Sequence, residues 1–166
     1  VFVADPLDGT TNFLHGYPEY AVSVGVLLHG ELAAGVVIDV PGNEEFTAAV
    51  GGGAFLNGAS IQVSSITNPN RALIGTGFPF KEFDDIAPYQ AQMTRVIAAV
   101  SGVRRHGAAA IDHASVACGR LAAFWDNRVA PWDIPAGPLL VRRPRGAATE
   151  TPRGSHSPPR TPPRAH

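Results

Sequence analysis

The chain has 166 residues, 45% of them hydrophobic and 8% aromatic, enough to fill the core of one ordinary domain and to exclude wholesale disorder. Its formal net charge of −1 conceals a split: residues 1–138 hold 7 basic and 13 acidic side chains, whereas residues 139–166 hold 6 arginines, the lone acid Glu150 and 6 of the 15 prolines. From Arg142 onward there is no Val, Ile, Leu, Met, Phe, Tyr, Trp or Cys, so the composition predicts a globular unit over 1–141 and a basic, disordered Pro/Arg-rich tail over 142–166.

Cys118 is the only cysteine, which excludes an intrachain disulfide and a thiolate zinc cluster and fits a reducing, cytoplasmic compartment. No apolar run reaches the roughly 18 residues of a membrane helix, and no signal segment opens the chain, so no membrane partner is expected. The sequence enters a strand-like run at Val1 directly, and we expect residues upstream of it.

In chain order, Val1 to Ala4 predicts a short buried strand ended by the turn Asp5-Pro6-Leu7-Asp8-Gly9. Ala21 to Leu28 and Glu31 to Val40 are β-rich runs joined at His29-Gly30. With Glu45 to Val50 after Pro41-Gly42-Asn43, they predict a three-strand meander. Phe55-Leu56-Asn57-Gly58 predicts another tight turn, and Ile61 to Val63 and Ala72 to Thr76 further strands. Ile86, Tyr89, Met93, Val96, Ile97 and Val100 recur at helical spacing, with Asp84 or Asp85 as cap and Pro88 in the first turn. A second helix is expected over Ala108 to Cys118, burying Ala110, Ala114 and Ala117 and turning Asp112 and Ser115 to another face. Leu121 to Trp125 predicts a strand, and Trp132 to Val141 a helix start. A meander followed by alternating elements indicates a layered α/β or α+β fold.

The most informative stretch is Asp5-Pro6-Leu7-Asp8-Gly9-Thr10-Thr11-Asn12-Phe13. Two carboxylates three residues apart after a strand can point at one spot, and Pro6 stiffens the backbone between them. Such a pair repels unless a cation lies between, and oxygen donors without nearby Cys or His favour Mg²⁺ over zinc. Gly9-Thr10-Thr11 then offers successive backbone N–H groups at a helix start, a phosphate cradle. A metal site beside a phosphate site is what metal-assisted phosphate ester hydrolysis requires. The bland alternative is a surface turn, since Asp, Gly, Pro and Thr are ordinary turn residues.

The whole string resembles the first signature motif of the inositol monophosphatase family of Mg²⁺-dependent, Li⁺-sensitive phosphatases. Trp132-Asp133-Ile134-Pro135-Ala136-Gly137 is similar to the family's second hallmark, with Pro135 where a small non-proline residue is usual. GGGAFLNG (51–58), GTGFPF (75–80) and the segment from Arg105 to Ala110 also look like family segments. The resemblance implies an incomplete αβαβα layered sandwich of the sugar-phosphatase type. It implies Asp5, Asp8 and Asp133 as side-chain metal ligands and Leu7 as a ligand through its carbonyl. It implies Gly9 and Thr10 as phosphate-binding through their amides, and the Thr10 hydroxyl as the group that orients the attacking water. Asp5, Asp8 and Thr10 are thereby the catalytic set. Asp8, Ala109 and Asp126 would meet the substrate, and Asp126 stands where many members carry Glu.

By that resemblance the substrate is a small phosphate ester, inositol monophosphate first and histidinol phosphate second, and the full-length form a homodimer. Residues 1–166 hold no counterpart of the family's G-E-E-like segment, so an inactive fragment or binding module is the reading from another class. Beyond Arg142 the chain turns to Arg, Pro, Ala, Thr and Ser where the family continues into sheet, which we read as a shifted reading frame. The tail has no aromatic residue to stack on bases, so no nucleic-acid partner is expected. His15 is expected in a loop and His113 on a helix surface, without catalytic roles. Asp112 and His113, being adjacent on a helix, diverge by about 100° and form no dyad. Cys118 is expected in the core.

Overall fold

The computed structural model describes residues 1–78, 86–126 and 136–142. Its first sheet is a six-stranded antiparallel meander in sequence order: β1 (Phe2–Asp8), β2 (Ala21–Leu28), β3 (Glu31–Asp39), β4 (Glu44–Ala49), β5 (Gly53–Leu56) and β6 (Ala59–Ser60). The hairpin tips are set by residues that tolerate positive φ. His29-Gly30 at 53° and 85° joins β2 to β3, and Asn57-Gly58 at 47° and 79° joins β5 to β6, both as the sequence predicts.

Two expectations fail in this sheet. The strand that opens the chain is not buried: Val1 is 83% and Phe2 77% exposed. Nor does it stop at Ala4. Asp5-Pro6-Leu7-Asp8 stays in β1, with Asp5 opposite Ser23 and Asp8 opposite Ala21, so β1 holds one residue more than β2 across that step. This bulge does what the predicted turn was expected to do: it re-aims the carboxylate at the strand's end. Ile61 to Val63 forms no strand. After bonding Ala54, the chain at Ile61 leaves the sheet and passes against the end of the helix that stops at Gly119.

The second sheet is parallel, in the order β8 (Gly102–Arg104), β7 (Leu73–Thr76), β9 (Ala123–Trp125). Strand β8 is absent from the sequence expectations, because three residues with one β-branched side chain carry no periodicity. Four α-helices and a 3-10 turn at Pro69–Arg71 complete the described chain: α1 (Thr10–Leu14), α2 (Ile86–Ala99), α3 (Ala109–Ala117) and α4 (Gly137–Arg142). The expected caps of α2 at Asp84 and Asp85 lie outside the described residues, as does the 142–166 tail beyond Arg142.

Helices α3 and α4 form a layer between the two sheets. On one side Ala110, Ala114, Ala117, Leu139 and Leu140 pack with Val37, Phe46, Ala48 and Ala54 of the meander. On the other, Val116 and Val141 meet Leu121, Leu73 and Phe124 of the parallel sheet. Small side chains bring the layers close: a Cβ on Gly35 would fall 2.6 Å from that of Ala136. Strand alternation then places α2. Phe124 faces α3, while Trp125 turns to the opposite face and stacks on Tyr89 at 6.2 Å, whose hydroxyl lies 3.1 Å from Thr76 Oγ1. The layers are thus sheet, helices, sheet, helix, an incomplete αβαβα sandwich.

Candidate active site

The bulge at the end of β1 directs Asp8 into the start of α3. That helix begins after Ala108, which has no side-chain acceptor to cap it. An N-terminal turn leaves amides unpaired, and a cap residue ordinarily takes one of them. Here Asp8, 102 positions away, does so: its Oδ2 accepts from the Ala110 amide at 2.7 Å, with the Ala109 amide also bonding the carboxylate. Burial nonetheless dominates and pushes the Asp8 carboxyl up to about 6. The two amides oppose the shift, and the charges of Asp5 and Asp112 add to it.

Asp5 is tied locally, its Oδ1 accepting the Leu7 amide at 3.0 Å. The Leu7 carbonyl accepts from Thr10 Oγ1 at 2.9 Å, which commits the Thr10 proton and leaves its oxygen lone pairs outward. Gly9 links the two helix starts. Its φ of 85° suits glycine, and a Cβ there would fall 2.8 Å from the Glu19 carbonyl oxygen and 3.1 Å from Ala108 Cβ. Helix α1 starts at Gly9 with no side-chain cap. Neither helix has a side-chain cap of its own, so the α1 amides are left for an anion while those of α3 are met by Asp8, beside the Asp5 carboxylate.

The donors fit a hard divalent cation. They are carboxylate and carbonyl oxygens, and the inner carboxylate carries a burial penalty that a cation would offset. Among the described residues no group of three His, Cys, Asp or Glu side chains already converges. Asp133, the remaining expected ligand, lies outside the described residues.

All three parallel strands end at the same edge, the usual ligand-binding side of such sheets. Asp126 follows β9 there, its carboxylate filling the space where a side chain on Gly77, after β7, would lie. Arg105 follows β8, its guanidinium 4.8 Å over the Phe78 ring. Ala109 stands at this edge as the first residue of α3.

The structure corrects the expectations for α3. Asp112 and Ser115 do lie off the face that Ala110, Ala114 and Ala117 turn to the meander, but they are buried too, Asp112 against Gly75 of β7. His113 is no surface residue: its Nδ1 lies 2.8 Å from the Ala109 carbonyl and its ring 5.0 Å from Phe124, and burial pushes its pKa down. Asp112 has a different histidine partner, His106, whose Nδ1 is 2.6 Å from Asp112 Oδ1. That pair is missing from the sequence reading. His15 is exposed at the end of α1, and Cys118 packs at the core's edge, both as expected.

The layered sandwich is shared with solved phosphatase-family structures. The extragenic suppressor protein suhB from Bartonella henselae matches with a TM-score of 0.83 at 44% identity, over 86% of this chain and 55% of that one. Residues 1–162 match the inositol monophosphatase family, and the chain belongs to it. A Pseudomonas aeruginosa protein named Nus factor SuhB is 44% identical over 158 residues, 94% of this chain and 58% of its own. An inositol-1-monophosphatase of Rhizobium meliloti is 42% identical over 149 residues, 90% of this chain and 56% of its own. The chain thus spans little more than half the length of these relatives. Among the described residues, no helix is long and apolar enough to cross a membrane.

Proposed function

We propose that the protein is a Mg²⁺-dependent phosphomonoesterase acting on a small polyol phosphate, inositol monophosphate first, in the cytoplasm. The observation that carries this reading is Asp8, a carboxylate buried against the α3 amides, with Asp5 raising its pKa further. Asp5, Asp8, the Leu7 carbonyl and Asp133 would hold the cation. When bound, Mg²⁺ supplies Lewis-acid neutralisation of phosphate charge and eases ionisation of the attacking water.

The rest falls to this chain's own groups. The Gly9 and Thr10 amides hold phosphate oxygens and stabilise the charge that grows on them in the transition state. Thr10, its proton committed to the Leu7 carbonyl, is left to accept a hydrogen bond from the water and orient it. Ala109 and Asp126, at the edge where the parallel strands end, would meet the substrate's hydroxyls. Asp126, one methylene shorter than Glu, leaves room for another small phosphomonoester such as histidinol phosphate.

The test is Asp5→Asn, followed by Mg²⁺ calorimetry and by phosphate release from inositol monophosphate and histidinol phosphate. Affinity and turnover are each expected to fall at least about 100-fold. Unchanged turnover would sink the ligand assignment. A second reading, a binding protein without turnover, is favoured by the Pseudomonas relative's name, Nus factor SuhB. Mg²⁺ binding without phosphate release would favour it.

A further inference from the structure

We propose that His106 and Asp112 are a positioning pair that holds the first turn of α3 in register on Asp8. The argument starts from what α3 lacks. With Ala108 as its cap, nothing at the helix's own N-terminus fixes the direction of the Ala109 and Ala110 amides, yet both must meet a carboxylate from another sheet. The lead-in is loose by composition: Gly107 sits at φ 84°, and Ala108 offers no polar side chain.

Two contacts tie that lead-in down. Asn12 of α1 donates through Nδ2 to the His106 carbonyl at 2.8 Å and to the Glu19 carbonyl at 2.6 Å. The His106 side chain then reaches forward into the helix, Nδ1 to Asp112 Oδ1 at 2.6 Å. Asp112 is 2% exposed, and a buried carboxylate needs such a partner to stay hydrogen-bonded. Its place is prepared by Gly75 of β7, where a Cβ would fall 2.9 Å from Oδ1. His106 stands two residues before the cap and Asp112 closes the first helical turn. Their bond therefore closes a ring around Ala109 and Ala110. It does for α3 what a capping side chain does elsewhere, while leaving the amides free for Asp8. The consequence for the cation rests on the phosphatase reading above; the consequence for Asp8 does not.

The experiment uses the full 166-residue chain and two substitutions. His106→Ala removes the bond. His106→Asn keeps it, because the Asn side-chain nitrogen branches at the same position as Nδ1 and can donate to Asp112. In ¹⁵N–¹H spectra, Asp8→Ala marks the Ala110 amide position without its acceptor. His106→Ala is expected to move the Ala110 peak toward that position and to weaken Mg²⁺ binding about tenfold, as loss of an orienting group does. His106→Asn is expected to keep both. An Ala110 peak that stays in place in His106→Ala overturns the proposal, as does a His106→Asn chain that behaves like the Ala variant or fails to fold. If the unsubstituted chain binds no Mg²⁺ while the Ala110 peak moves as stated, the positioning stands and the metal reading falls.

Discussion

The two sheets solve different problems with different materials. The meander is antiparallel, long and covered by α3 and α4 on one face, where Val37 and Phe46 are fully or almost fully buried. Its other face holds Val22, Val24 and Val36 half buried and Ile38 37% exposed. Among the described residues the parallel sheet has three strands of three or four residues, yet helices lie on both faces, with Phe124 turned to α3 and Trp125 to α2. Parallel strands are stable only when buried on both sides, and antiparallel ones tolerate a wetter face. The candidate site draws on both. The meander supplies Asp5 and Asp8 from an edge strand, and the parallel sheet supplies the helix start that receives Asp8. Chemistry sits where the layers meet.

If the helix layer binds the two sheets, its centre should be the most sensitive place in the molecule. Leu140 of α4 is completely buried in the cluster against the meander. Leu140→Ala is expected to cost about 2–5 kcal/mol, a large share of a typical domain's stability. Val24→Ala, on the half-buried face, is expected to cost about 1 kcal/mol. Urea unfolding of both would break the comparison if the two losses were equal.

The next effect runs the other way, because Asp8 is held at a cost to the fold. A carboxyl whose folded pKa lies above its unfolded value binds its proton more tightly in the folded state. Through Asp8, the metal-free chain gains stability as pH falls from about 7 through 6 toward 4. Above that window it carries a burial penalty of about 2–3 kcal/mol. Asp8→Asn keeps an oxygen for the Ala110 amide and removes the charge. It is expected to stabilise the metal-free chain by about 1–3 kcal/mol at pH 8, to change little at pH 4 and to abolish Mg²⁺ binding. A less stable variant at pH 8 would show that the carboxylate is structural.

The meander half of the site is legible in sequence because its chemistry is contiguous. Asp5, Leu7, Asp8, Gly9 and Thr10 lie within six positions, and hairpin pairs such as Asn57-Gly58 mark the sheet around them. The α3 half is not. The partner of Asp8 is a backbone amide 102 residues away, and an Ala-Ala-Ala run gives no sign that its N–H groups are used. Sequence reasoning weighs His113 as a partner for Asp112 and rejects it on helical geometry, but offers no other partner. The contact instead runs back six positions to His106, across the turn at Gly107. A His and an Asp at that spacing across a helix start are the signal that could have found it. Ile61 to Val63 misleads for a related reason: its β-branched residues pass against Gly119, where none of the described strands pairs with them.

The smallest expected effect tests how the meander is tied to the end of α3. Arg120, just past Gly119, forms a two-point bridge to Glu44 at the start of β4, 2.5 Å at each contact, and lies 6.0 Å from the Phe46 ring. The hydrogen bonds to Arg120 hold the Glu44 carboxyl below its usual value. A depressed acid contributes stability above its unfolded pKa and loses it as pH falls through the folded one, so the contribution is complete at neutral pH and absent in strong acid. Arg120 is 49% exposed, so solvent and salt screen the pair. Glu44→Gln is expected to cost less than about 1 kcal/mol at pH 7, and nothing measurable at pH 3 or in 1 M salt. A loss near that of Leu140→Ala would mean that this bridge, and not the apolar helix layer, joins the halves of the molecule.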